Sequence, residues 1–185
     1  MKVIDTVIPG VKIIEPHIIR DQRGYFCETF VEKEFQRLTG CDVRFVQDNE
    51  SYSQYGVIRG LHFQAPPMCQ AKLVRVLSGE VIDYAVDLRK GSPTYGQHVS
   101  VTLSGDNHLQ LFLPHGVAHG FAVVSEKALF TYKCDNYYSP AHEGGINIFD
   151  PALGITLPFA DSEAITSPKD KLLPMIEVFD SPFKF

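Results

Sequence analysis

The 185-residue sequence predicts an all-β protein, an antiparallel sandwich or barrel with a few short helices, and three observations point there. Hydrophobic residues recur with the two-residue period of half-buried strands over most of the chain. Short β-branched and aromatic runs are spaced regularly by Gly, Asn, Asp and Pro turn clusters. Helical signals are confined to two brief stretches.

In chain order the strand candidates begin with VKIIEP (11–16) and GYFCETF (24–30). GVIRGLHFQ (56–64) follows, and then KLVRVLSGEVIDYAVDL (72–88), two β-branched runs joined at Ser78-Gly79, which reads as a hairpin. HVSVTL (98–103), QLFLP (110–114), GFAVVS (120–125) and ALFTYKC (128–134) complete the series. Val31 to Leu38 is a short amphipathic helix candidate, and Ser167-Pro168-Lys169-Asp170 reads as a helix cap with proline at the first helical position. No repeat, low-complexity tract or linker interrupts the chain, so residues 1–185 are expected to form a single domain. Such a domain must hide its sheet edges, and the N-terminal segment is the candidate for a strand exchanged between two copies.

Composition narrows the function classes. A formal net charge of −5 argues against nucleic acid as a partner, because phosphate neutralisation needs a concentrated basic surface. The first 19 residues are broken by Asp5, Pro9, Gly10, Lys12 and Glu15, leaving no membrane span or signal peptide, so a cytoplasmic location with no membrane partner is expected. The four cysteines, Cys27, Cys41, Cys69 and Cys134, form no CxxC pair and are expected to be reduced thiols.

Chemistry is suggested by His62 and Lys72. Strand alternation places Ile58, Gly60, His62 and Gln64 on one face, and Lys72 with Val74 and Val76 on one face of the next strand. If both faces line the barrel interior, a base and a cation share one cavity. A lone strand histidine is equally well a core residue bonded to a carbonyl, and a lysine at a strand end can snorkel to solvent. Arg59 and His62 differ by an odd number, so both face a ligand only if the strand begins or bulges near Gly60. Tyr132 is in phase with Phe130 and Cys134, and Tyr137 and Tyr138 lie at a strand end, where a ring can stack on a flat ligand. LPHGVAHGF (113–121) carries the PxGxxH spacing of a cupin-type turn ending in His119, but the chain has no HxH pair, so no metal is expected.

Together DQRGYFCETF, FVQDN, GVIRGLHFQ, KLVRVLSGEV, AVDLRKGSPTYG, LPHGVAHGF, TYKCDNYYSP, FDPALGI and SPKD resemble the dTDP-4-dehydrorhamnose 3,5-epimerases, from about residue 10 to residue 175. The resemblance implies a cupin-type jelly-roll β-barrel, a homodimer, no cofactor and a dTDP-linked 4-keto-6-deoxy sugar as substrate. It implies His62 as general base, Tyr132 as the acid on the opposite face of the sugar, Asp170 as the carboxylate orienting His62, and Lys72 as the cation at the enolate oxygen. Arg23, Glu28, Gln47, Asp48, Asn49, Arg59, His119, Glu143 and Lys169 fall where the family contacts nucleotide, diphosphate or sugar, and Tyr138 where it stacks on thymine. The chain departs from many relatives in having Ala71 and Asp135 and no tryptophan. Competing readings are an epimerase acting at C3 or C5 alone, a non-catalytic sugar-nucleotide-binding cupin, and a metal-dependent cupin oxygenase.

Overall fold

A computed structural model describes residues 1–185, the side chain of residue 161 excepted. The strands are β1 (Lys2–Asp5), β2 (Lys12–Glu15), β3 (Ile18–Asp21), β4 (Gly24–Cys27), β5 (Gln47–Gln54), β6 (Ile58–Gln64), β7 (Lys72–Ser78), β8 (Glu80–Asp87), β9 (His98–Ser104), β10 (Gln110–Leu113), β11 (Val117–Val123), β12 (Lys127–Cys134) and β13 (Glu143–Gly145). Helix α1 spans Glu32–Thr39 and helix α2 spans Pro168–Lys171. Two antiparallel sheets face each other, one ordered β1-β2-β10-β7-β12-β5 and the other β13-β6-β11-β8-β9, while β3 and β4 form a separate hairpin.

Alternation builds the sandwich. Val74 and Val76 of β7 point inward and pack with Leu111, Val123 and Phe130 between the sheets, each side chain worth about 1.5–3 kcal/mol on burial. Leu73, one residue out of phase, joins Ile14, Phe112 and Phe35 of α1 on the outer side of the six-stranded sheet. The outer side of the five-stranded sheet is covered by the C-terminal segment, where Phe183 packs with Leu61, Phe63 and Tyr84.

Two expectations need correction. The two runs flanking Gly79 are not a hairpin: β7 pairs with β10 and β12, and β8 pairs with β9 and β11. Gly79, at φ +81°, is a corner where the chain crosses between sheets, and a Cβ there would lie 2.0 Å from the Lys127 carbonyl oxygen. The N-terminal segment forms one edge of the six-stranded sheet, β1 on β2 and β2 on β10. Ile58 does not share a face with His62; it packs with Leu61 and Phe63 in the outer cluster.

The last difference has a local cause. Between β6 and β11 the register passes from His62 opposite His119 to Arg59 opposite Phe121, so β6 carries one extra residue. Gly60 takes the strain at φ +111°, where a Cβ would meet the His119 carbonyl oxygen at 2.6 Å and Gly120 Cα at 2.7 Å. The bulge turns Arg59 and His62 to the same side.

Candidate active site

A cavity of about 640 Å³ opens between the two sheets and is lined by Arg59, His62, Lys72, His119, Tyr132, Glu143, Lys169 and Asp170, together with Phe121 and Phe130. A second chamber of about 230 Å³ shares His62, Lys72, Tyr132 and Glu143 with it and adds Gln47, Asn49 and Tyr138. Sequence-predicted residues from β5, β6, β7, β11, β12, β13 and α2 thus converge on one site.

His62 comes from the five-stranded sheet and Tyr132 from the six-stranded sheet, so imidazole and phenol face one cavity from opposing walls. Lys72 lies on the strand next to Tyr132, with Cys134 opposite Lys72 in the ladder and the Lys72 Nζ 5.8 Å from the Tyr132 ring centroid. His62 Nε2 lies 2.7 Å from Asp170 Oδ1, which leaves Nδ1 for a ligand. The other Asp170 oxygen accepts the Gly60 N–H at 3.3 Å. Ser167 caps α2 by accepting the Asp170 N–H at 3.0 Å, so the cap that starts the helix also fixes the carboxylate.

Electrostatics follow depth and partners. Burial pushes the Lys72 ammonium down, opposed by the nearby Cys134, Asp83 and Glu143. Burial also pushes the Tyr132 phenol up, keeping it protonated at neutral pH. Burial alone would raise Asp170, but its hydrogen bonds from His62 and Gly60 outweigh that and hold the carboxyl below the ordinary range. Glu143 is likewise held low, its burial outweighed by Lys169 and Tyr138.

Not every predicted residue reaches the cavity. Asp48 is turned away by strand alternation between Gln47 and Asn49, and its carboxylate takes Lys133 Nζ at 2.9 Å. Arg23 sits on the β3–β4 turn, bound to Asp21 and exposed to solvent. Glu28 lies beside His17, Ile19 and Phe26, away from both chambers.

Asp83 was not anticipated. It is fully buried, with Oδ2 2.8 Å from His119 Nε2 and Oδ1 without a hydrogen-bond partner. The signal was present: an aspartate inside the apolar run VIDYAV must be paired when buried. Among the described residues no three His, Cys, Asp or Glu side chains cluster as a metal site, and no helix is long and apolar enough to cross a membrane.

Comparison with known proteins gives a concordant result. The family described as dTDP-4-dehydrorhamnose 3,5-epimerase matches residues 5–177. The chain is 50% identical over 177 residues to the dTDP-4-dehydrorhamnose 3,5-epimerase of Salmonella typhimurium, covering 96% of each protein. It is 50% identical over 169 residues to that of Methanothermobacter thermautotrophicus, covering 91% of this chain and 90% of the relative. Its fold is similar to that of a dTDP-6-deoxy-D-glucose-3,5-epimerase from Legionella pneumophila solved with dTDP-4-keto-L-rhamnose, at TM-score 0.95 and 48% identity over 100% of this chain and 98% of that one. On this family match, sequence identity and similarity of fold, the chain belongs to the dTDP-4-dehydrorhamnose 3,5-epimerase family, isomerases with the cupin jelly-roll fold.

Proposed function

We propose that this chain, a single catalytic domain of the cytoplasm, converts dTDP-4-dehydro-6-deoxy-D-glucose to dTDP-4-dehydro-L-rhamnose by inverting C3 and C5. The observation that carries this reading is the placement of His62 and Tyr132 on opposing walls of one cavity that also holds Lys72. Each inversion removes a proton from a carbon next to the C4 ketone and returns one to the other face. His62 takes the first proton, its electron pair passing to the C4 oxygen as an enolate. Tyr132 gives the second, and the ketone re-forms.

Magnitude explains why a base alone is insufficient. An imidazole is a weaker base than such a carbanion by about a dozen pK units, an uphill step of about 16 kcal/mol. The Lys72 ammonium, aimed at the enolate oxygen, acts where charge develops, and a donor so placed is worth about 3–4 kcal/mol. Asp170 fixes the His62 tautomer and favours the imidazolium that forms. Arg59 and Lys169 supply positive charge for the diphosphate.

Replacing His62 with Ala is expected to slow exchange of the C3 and C5 hydrogens with deuterated water by about three orders of magnitude while the circular dichroism spectrum is unchanged. Exchange at the parent rate removes His62 from the role. Product NMR then separates double from single inversion.

The homodimer belongs to the same proposal. The β3–β4 hairpin stands outside both main sheets and exposes Ile19 and Phe26 (55% and 64% of their surfaces), while Arg23 and Glu28 lie away from their own cavity. Hairpin exchange would bring these two residues to the partner's site. Mixing and reassembling inactive His62→Ala and Arg23→Ala chains is then expected to restore about one quarter of parental activity, since half of the random dimers carry one intact site. No restoration after verified exchange rejects the shared site.

A further inference from the structure

The seam between the two chambers is crossed by a bridge centred on Glu143. This residue lines both chambers, and its Oε2 accepts the Tyr138 hydroxyl at 2.6 Å and the Lys169 ammonium at 2.7 Å. Tyr138 lines the smaller chamber and Lys169 the larger, so one carboxylate oxygen ties together groups from the segment after β12, from β13 and from α2. Lys169 also precedes Asp170, the partner of His62.

A ligand long enough to fill both chambers lies alongside this bridge, because Glu143 lines both. If the ligand is a nucleoside diphosphate sugar, as the functional reading above requires, it also carries the charge that competes for the bridge. A diphosphate attracts the Lys169 ammonium and repels the Glu143 carboxylate. Glu143 is an acceptor only while ionised, so it offers a diphosphate no hydrogen bond. Its usefulness lies in what it withholds.

We propose that Glu143 is a specificity-determining latch, whose carboxylate holds Lys169 and Tyr138 across the chamber seam until a nucleoside diphosphate takes Lys169 away from it. Lacking a polyanion, a ligand has nothing to exchange for Lys169 and meets the closed bridge. Exchange leaves Glu143 bonded to the Tyr138 hydroxyl alone, with the tyrosine ring free to stack on the base. Hydrogen bonding to Glu143 raises the Lys169 ammonium, and Glu143 is held low, so both partners are charged at neutral pH.

The test is calorimetric titration of the full chain with dTDP. A bare contact and a latch differ in sign: Glu143→Gln removes the charge but keeps an acceptor for Tyr138. The latch predicts that dTDP binds Glu143→Gln about two- to fivefold more tightly than the parent, the modest range of a solvent-screened ion pair. In a Lys169→Ala background the same substitution is expected to give no gain. Unchanged or weaker binding by Glu143→Gln overturns the latch, and so does a gain that persists without Lys169, which would mean simple repulsion of phosphate. Should Glu143→Gln fail to fold, Glu143→Ala removes the carboxylate outright; it must also tighten dTDP while Lys169 is present, and unchanged or weaker binding overturns the proposal. If the parent chain itself does not bind dTDP, the nucleotide-sugar reading fails and the latch with it; parental binding without the gain sinks the latch alone.

Discussion

Two imidazoles face each other across β6 and β11, and each is backed by an aspartate at nearly the same distance, yet their surroundings differ. Asp170 is delivered by α2, lies near the cavity surface and is bonded by both His62 and the Gly60 N–H. Asp83 sits in mid-strand with no exposure, bonded by His119 alone, its second oxygen unpartnered. Donors hold Asp170 ionised, whereas burial pushes the Asp83 carboxyl up against the pull of His119 and Lys72. Identical residue pairs therefore differ in function: a carboxylate held by several donors supports a proton arriving on its histidine, and one with a single donor carries its charge less readily.

Asp170→Asn attacks the first pair and carries the largest expected effect. The amide cannot stabilise an imidazolium, so turnover is expected to fall about a thousandfold with the fold intact, measured by deuterium wash-in. A fall of less than tenfold would equate the two pairs. Next comes Lys72→Met, which tests the cation that both pairs surround. Turnover is expected to fall about a hundredfold. A lysine whose folded pKa is depressed contributes stability only above its unfolded value and loses it as the pH drops through the folded one, so below the unfolded value burying this amine is a cost. Its removal is expected to raise the melting temperature by a few degrees, about 1 kcal/mol.

Asp83→Asn carries the smallest kinetic effect, about tenfold, and its signature is in stability against pH. The raised Asp83 carboxyl contributes stability below its unfolded value of 3.8 and loses it as the pH rises through the folded value. Relative to the parent, Asp83→Asn should therefore gain in urea midpoint as the pH rises above 3.8 and through the folded value. Asp170 has the opposite sign: its stability is present above 3.8 and lost as the pH falls through the folded value. The Asp170→Asn deficit should stay constant between pH 5 and pH 8 and shrink only in stronger acid. Parallel slopes for the two variants would erase the distinction.

Much of the site was legible in the sequence because strand parity and motif spacing are local. Lys72 shares its inward face with Val74 and Val76, and Ser167 caps the helix that presents Asp170, as expected. β5 gives no strand signal because QDNESYSQ is polar nearly throughout, as befits the edge of the six-stranded sheet; resemblance grouped Asp48 with Gln47 and Asn49, and alternation along β5 turns it away. Asp83 was passed over because its partner, His119, is 36 residues distant. Arg23 and Glu28 were assigned to the site by resemblance, and in the single chain their hairpin holds them outside it.

The sequence by itself determined which side chains point together along a regular strand such as β7, where the α2 cap falls, and the family to which the motifs belong. Local period and turn chemistry depend on neighbouring residues alone, so no partner is needed to read them. Only the tertiary structure decided which strands pair, that Gly79 is a corner rather than a hairpin turn, and that a bulge at Gly60 turns Arg59 and His62 into one cavity. Those outcomes depend on close approach between segments far apart in the chain, such as Asp170 meeting His62 across 108 residues, and packing alone selects among the pairings that the same local pattern allows.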